Sequence, residues 1–345
     1  MATIRDVARA ANVSVSTVSL FLSQPHRVSE ATRERVSSAV DKLHYRPNGT
    51  ARDLRTRRTN TIGVFLHNLS GPFYSELIAG VEEITDTLGL TTIVSGVSKN
   101  QLQGSLRLLR EGRVDGAIIL DPDIESRDLR RYACASLPVV VLDRGLSTAL
   151  QSDYVTAVAA DHQEGGYLAG RHLLDMGYSR FIFIAGPIDS EDSRLRHRGF
   201  FNALHEAGVD TMTVPVVHGD FKEKGGAQAM SALLNNGLAA DAVFAANDEM
   251  ALGVMQTLSL KNIRVPEDIA VMGFDDIRLA RYVSPSLSTI HQPMYELGRA
   301  AMTQLDRAMS GETRIPPVTL PTTLVVREST ASQQKKAGDT YYAAP

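Results

Sequence analysis

Between residues 61 and 274 the chain repeats one unit, a short apolar run followed by an amphipathic stretch long enough for a helix. Runs of strand length fall at 61–66, 91–95, 115–120 and 138–143, then at 154–160, 181–185, 213–217, 242–246 and 269–274. Helical patterns fill the intervals at 73–88, 101–111, 127–135, 163–176, 194–207, 222–235 and 249–260. Such alternation predicts parallel sheets covered by helices on both faces, and two successive series of it predict two similar lobes. Sheets of this kind take their ligands beyond the carboxyl ends of their strands, so two facing lobes make a cleft.

The first 46 residues follow a different rule. Thr3 is placed to cap a helix, with Asp6 three residues on to close a capping box. Ile4, Val7, Ala8 and Ala11 form its apolar stripe. Asn12 falls where the chain must turn, and Asn tolerates the left-handed conformation. Ser14 is placed to cap a second helix whose Val18 and Leu22 point inward, and Ser29 a third, with Val36, Ala39, Val40 and Leu43 at helical spacing. Two short helices across a tight turn, the second opening on small polar residues, make a helix-turn-helix.

Charge supports that reading. Residues 1–58 carry eleven Lys/Arg against five acids, a net of +6, which leaves the other 287 residues at -9 of the total of -3. A positive head on a negative body suits a polyanion partner. The single cysteine, Cys134, excludes a disulfide within the chain and is expected to be a small core residue in a helix. There is no apolar run near ~20 residues and no leader-like N-terminus, so neither membrane nor export is expected. The nine histidines are scattered, no H-E-x-x-H occurs, and neither Gly165-Gly166 nor Gly225-Gly226 makes a phosphate-binding fingerprint. No metal and no cofactor are expected. Asp248 and Glu249 fall at a helix start, where the dipole favours acids, and are not read as a glycosidase pair.

Seven segments, in order and spacing, resemble the LacI/GalR family of transcription regulators: TIRDVA (3–8), VSVSTVS (13–19), VSEATRERV (28–36), YRPN (45–48) with Ala51 and Leu54, ANDEMALG (246–253), VMGFDD (271–276) and LSTIHQ (287–292). The resemblance runs to about Ser329. It implies an N-terminal all-α helix-turn-helix headpiece (1–46), a hinge helix and linker (47–60), and an α/β two-lobe, periplasmic-binding-protein-like domain with parallel sheets (61–330). The first lobe would take about 61–160 and 291–325, the second about 161–290, and 331–345 would be a disordered tail.

The resemblance also implies roles. Val15, Ser16 and Leu20 would read bases, while Thr3, Ser14, Thr17, Ser19 and Asn48 would grip phosphates. Leu20 stands where the family is often basic and cannot make a bidentate contact to guanine. Ala51 and Leu54 fall in the hinge, where each subunit's leucine would wedge into the minor groove. Arg194, Asn247 and Asp275 align with the family's effector-contacting positions, a donor and acceptor set suited to sugar hydroxyls; Asp143 at another strand end, Asn68, Phe73 and Tyr74 opening the first lobe's helix as a stacking face, and Gln292 are expected to line the cleft with them. The expected protein is a cytoplasmic, nucleoid-associated homodimer that binds a near-palindromic double-stranded operator, represses carbohydrate genes and answers to a small sugar-like effector. The competing readings are a purine- or phosphoprotein-responsive repressor, a sugar-binding protein without regulatory role, and an enzyme acting on a sugar or nucleoside.

Overall fold

The structure, a computed structural model, describes residues 2–46, 58–67, 73–96, 102–121, 123–144, 152–237 and 239–331. The chain divides into two compact units, Met1–Thr59 and Asn60–Pro345.

The first unit is three helices, α1 (Ile4–Ala11), α2 (Val15–Ser23) and α3 (Glu30–Lys42). Thr3 and Asp6 make the expected capping box, and Asn12 ends α1 with a left-handed backbone. The Ser14 hydroxyl accepts from the Thr17 amide at 3.1 Å. Ser29 occupies the N-cap of α3 but caps no backbone group; its hydroxyl donates to Thr32 Oγ1 at 3.0 Å. Val7, Ala8, Ala11, Val18, Val36 and Ala39 form the core, with Leu22, Val40 and Leu43 packed against it.

In the second unit, β1 (Thr61–Leu66), β2 (Thr91–Gly96), β3 (Gly116–Leu120), β4 (Val139–Leu142) and β5 (Val155–Ala160) form a parallel sheet, joined by a late strand, β11 (Val318–Leu320). The order is β11-β5-β4-β3-β1-β2. Side chains alternate across it. Ile62, Val64, Ile118 and Val140 face α4 (Phe73–Leu88) and α11 (Met294–Met309), whereas Phe65, Ile119, Val139 and Val141 face α5 (Leu102–Arg110) and α6 (Ser126–Tyr132). The helix expected over 127–135 stops at Tyr132, so Cys134 is not a helical core residue. It is exposed, bridges to Leu137 through its backbone, and has its thiol 3.2 Å from Ser136 Oγ.

The second sheet has the order β7-β6-β8-β9, with β6 (Phe181–Ala185), β7 (Val216–His218), β8 (Ala242–Ala245) and β9 (Ala270–Met272) all parallel. The strand expected over 213–217 is displaced, because Asp210 caps a 3-10 turn over Thr211–Thr213. Helices α7 (His162–Asp175), α8 (Glu191–Glu206), α9 (Glu223–Asn235) and α10 (Asp248–Leu260) cover this sheet. Two further strands escaped the sequence pattern: β10 (Thr289–His291) pairs antiparallel with β12 (Thr323–Val325), beside β9. The chain thus passes between lobes three times, after β5, between β10 and α11, and between β11 and β12. Among the described residues no helix is long and apolar enough to cross a membrane.

Candidate ligand site and nucleic-acid interface

On the first unit, the opening turn of α2 exposes a compact polar set. Ser14 Oγ lies 2.7 Å from Ser16 Oγ and 2.8 Å from Thr17 Oγ1. Val15 beside them leaves 42 % of its surface to solvent, unusual for a valine with a core at hand. Ser19 and Leu20, one turn on, are half-buried, and Leu20 is absent from the core. Thr3 is exposed, and its hydroxyl donates to Asp6 Oδ2 at 2.7 Å. Asn48, Ala51 and Leu54 lie outside the described residues.

In the second unit, ionisable and amide side chains converge where strands of both sheets end. Their centre is Arg196, 2 % exposed. Helix α8 buries Ser193, Arg196, Gly199, Phe200 and Ala203, a stripe at helical spacing that carries the guanidinium inward. Arg196 Nη1 donates to the Ala246 carbonyl at 2.5 Å, Nη2 to Gln292 Oε1 at 3.1 Å and Nε to His162 Nδ1 at 3.3 Å. The guanidinium lies 3.8 Å from the centroid of Phe274 and 3.3 Å from Asp275 Oδ1. With Nδ1 accepting, the His162 ring carries its proton on Nε2, 3.1 Å from Asp143 Oδ1. His162 Nε2 makes no hydrogen bond at that distance, whereas Asp143 accepts from the Ala160 amide at 2.9 Å and from Gln292 Nε2 at 3.1 Å. The network therefore ties the end of β4 in one lobe to α7, α8, β8 and the β9 loop in the other.

Close helix contact makes this geometry. A Cβ on Gly166 of α7 would lie 2.1 Å from the Arg196 carbonyl, and one on Gly199 of α8 would lie 1.9 Å from the Gln163 carbonyl. The paired glycines let the two backbones touch, and so bring His162 against Arg196.

Asp275 is buried, in a left-handed backbone (φ 114°), and its Oδ1 accepts no hydrogen bond despite the nearby guanidinium. Burial pushes its carboxyl well above the usual range; Arg196 opposes this, while Asp248, Asp192 and Glu249 reinforce it. Burial also raises the Asp192 carboxyl, but Arg196 and His162, with hydrogen bonds from the Ser190 hydroxyl and the Ser193 amide, more than offset it, leaving it below its ordinary value. Tyr74 at the start of α4 is half-buried; its hydroxyl is raised by burial and then by Asp192, Asp121, Asp275 and Glu249. A tyrosine of the first lobe thus feels acids of the second.

The remaining sequence candidates fall as follows. Asp143, Asp275 and Gln292 join the network. Arg194 does not: its side chain is 62 % exposed and pairs with Glu191 at 3.6 Å. Asn247 caps α10, accepting from the Met250 amide at 3.0 Å and donating to the Phe221 carbonyl at 3.0 Å, so both amide atoms are engaged. Asn68 lies outside the described residues, as does the side chain of Phe73. Sequence reasoning missed Arg196, His162, Asp192 and Phe221. The stripe of α8 contained the signal for Arg196, since Arg194 falls off that face. Phe221 follows β7 with φ 63°, and its ring covers the Gly186 backbone so closely that a Cβ there would lie 2.3 Å from it.

Comparison with known proteins agrees with this layout. Residues 3–48 match the family described as bacterial regulatory proteins, lacI family, and residues 170–330 match a periplasmic binding protein-like domain. The chain is 36 % identical over 337 residues to the HTH-type transcriptional repressor PurR of Erwinia tasmaniensis, covering 96 % of this chain and 97 % of that one. It is 39 % identical over 311 residues to the ribose operon repressor of Escherichia coli K12, covering 88 % and 91 %. The lac repressor dimer bound to operator and the anti-inducer ONPF superposes with a TM-score of 0.81 at 30 % identity, covering 96 % of this chain and 99 % of that one.

Proposed function

Since this chain belongs to the lacI family of bacterial regulatory proteins, we propose that it is an operator-binding repressor of carbohydrate genes, released or tightened by a neutral, hydroxyl-rich effector held between its lobes. The observation that carries the effector class is Asp275 Oδ1, buried without a hydrogen bond beside the Arg196 guanidinium. A hydroxyl can donate to that oxygen and accept from a guanidinium at once, as sugars do. Asp192 and Asp275 flank one buried arginine and Asp143 lies against the adjacent His162, a balance that disfavours phosphorylated ligands. Arg196 takes the part that sequence reasoning gave to Arg194. Gln292, which itself donates to Asp143, fixes the guanidinium, Tyr74 and Phe221 offer ring faces, and Asn247 holds the Phe221 loop. Phe73 and Asn68 enter by resemblance alone.

The head reads DNA through Val15, Ser16 and Leu20, and Thr3, Ser14, Thr17 and Ser19 meet phosphates. The polar, exposed first turn of α2 supports this assignment. Asn48 joins the phosphate contacts, and Ala51 and Leu54 act in the hinge, as the family resemblance implies. A two-fold dimer needs two like half-sites, hence a near-palindromic operator in the cytoplasmic nucleoid. Effector and operator need couple by only ~1–3 kcal/mol to alter affinity many-fold. The site binds its ligand without transforming it.

A thermal-shift screen of neutral sugars, sugar phosphates and purines tests this reading. A ligand at 100 times its Kd stabilises by ~2.7 kcal/mol. A neutral sugar should raise the Tm and Arg196→Met should abolish the rise. Stabilisation by a purine base, which the PurR relative makes the competing outcome, with none by any sugar, overturns the effector class. For the head, Val15→Tyr should change the operator sequences selected from a random pool; an unchanged preference removes Val15 from the base-reading set.

A further inference from the structure

A second constellation, sharing no residue with the Arg196 network, lies at the carboxyl ends of β1 and β3. The parallel register pairs Leu66 with Leu120, so the next residues, His67 and Asp121, emerge side by side. The pairing continues through the His67 amide, which donates to the Leu120 carbonyl at 3.1 Å. Asp123 folds back so that its amide donates to Asp121 Oδ1 at 2.7 Å. One ligand atom from each of His67, Asp121 and Asp123 lies within 4.8 Å of the other two. His67 Nδ1 stands 3.9 Å from Asp121 Oδ1.

The second observation is a deficit of partners. The Asp121 side chain is wholly removed from solvent, and its Oδ2 accepts no hydrogen bond. Asp123 Oδ2 is likewise buried and accepts none. Two carboxyl groups two residues apart, each with a dry, unsatisfied oxygen, repel one another and cost free energy unless something positive or protic meets them. Arg144 acts on Asp121, but it also faces Glu191 and donates to the Ile124 carbonyl at 2.8 Å. One shared guanidinium does not balance both acids.

We infer that His67, Asp121 and Asp123 form a divalent cation site, with an imidazole nitrogen and two carboxylate oxygens as ligands and the remaining coordination positions open. That donor set suits Zn2+ or Mn2+ better than Mg2+, which has little use for an imidazole. Metal–ligand bonds of about 2.0–2.2 Å place tetrahedral ligands roughly 3.4 Å apart. The trio, within 4.8 Å, has to contract toward that spacing, His67 by rotating its half-exposed ring and Asp123 by turning its side chain. The two oxygens that accept no hydrogen bond then gain a ligand charge directly. An open coordination position at a strand end can receive water or a ligand oxygen.

The full-length protein, stripped with a chelator and desalted, is titrated calorimetrically with ZnCl2 and separately with MnCl2, no sugar present. Metal content after gel filtration gives the stoichiometry. One ion per chain is expected, with a rise in Tm. His67→Ala, at a largely exposed position that leaves the fold intact, and Asp123→Asn should each weaken uptake by at least about tenfold. No uptake of either ion overturns the site, and so does uptake that neither substitution changes, since the ion then sits elsewhere. Because the ion is tested alone, failure of the sugar reading leaves this result standing, and the reverse holds as well.

Discussion

Replacing Arg196 by Met tests the central network most directly. The substitution keeps much of the side-chain length but removes hydrogen bonds to the Ala246 carbonyl, Gln292 Oε1 and His162 Nδ1, and the ion contact with Asp275. A charged donor makes each of those bonds worth more than a neutral one, but they share one group and do not add. The larger cost is what stays behind: Asp275, buried, and Asp192 lose their counter-charge. Breaking a buried pair from one side typically costs ~3–5 kcal/mol. For a unit of this size that is a fall in Tm on the order of 10 °C. Arg194→Ala, two residues earlier, removes only an exposed pair with Glu191 and should stay within about 1 kcal/mol of the parent. The signature has a pH component. Without Arg196 the raised carboxyl of Asp275 rises further and the lowered carboxyl of Asp192 loses its main support, so the folded form holds protons the unfolded chain has released. The penalty should therefore be larger at pH 8 than at pH 5. Urea unfolding of both variants at both pH values measures it. Equal stability of the two variants, or a penalty at Arg196 that ignores pH, refutes the argument.

Two further outcomes follow from the packing. Asp248 is fully buried, accepts from Thr289 Oγ1 and the Ile277 amide, and burial pushes its carboxyl up to about 7. Its folded value thus exceeds the unfolded one of ~3.9, so its contribution is fully present below pH ~4 and is lost as pH rises through about 7, at up to ~1.4 kcal/mol per pH unit; Asp248→Asn should flatten that part of the stability–pH curve, and an unchanged slope counts against it. Gly199→Ala should destabilise by roughly 1–3 kcal/mol or more, since its Cβ would meet backbone at 1.9 Å, whereas Gly104→Ala, in an exposed helix with nothing within 4 Å, should stabilise by ~0.5–1 kcal/mol; denaturation midpoints of the two decide whether close approach or propensity governs these glycines.

What could be read in advance was what depends on neighbours in sequence. The Thr3–Asp6 box, the Asn12 turn and the strand–helix alternation are set within a few residues, and each stands in the structure. Ser29 shows the limit of local rules: the hydroxyl was in the right place but found Thr32 Oγ1 first. Cys134 shows another, because two flanking alanines extend a helical pattern past the point where the backbone turns back to Leu137. The site was legible as a set of strand ends, which gave Asp143, Asp275 and Gln292. Choosing between Arg194 and Arg196 required the phase of α8 against its neighbours. Strands β10 to β12 were invisible because they are three-residue segments outside the strand–helix alternation that revealed the equally short β9.

The threefold passage of the chain between lobes also restricts how this molecule can be divided. A transcript ending at β10 would encode a first sheet without its β11 edge and without α11, whose Met302 and Leu305 cover one face of that sheet. One ending at β11 would leave β10 unpaired and would omit Ser329, whose hydroxyl reaches the Val271 carbonyl of β9 at 2.6 Å. Neither lobe corresponds to an uninterrupted stretch of gene, so a chain cut anywhere before Met294 loses parts of both halves together.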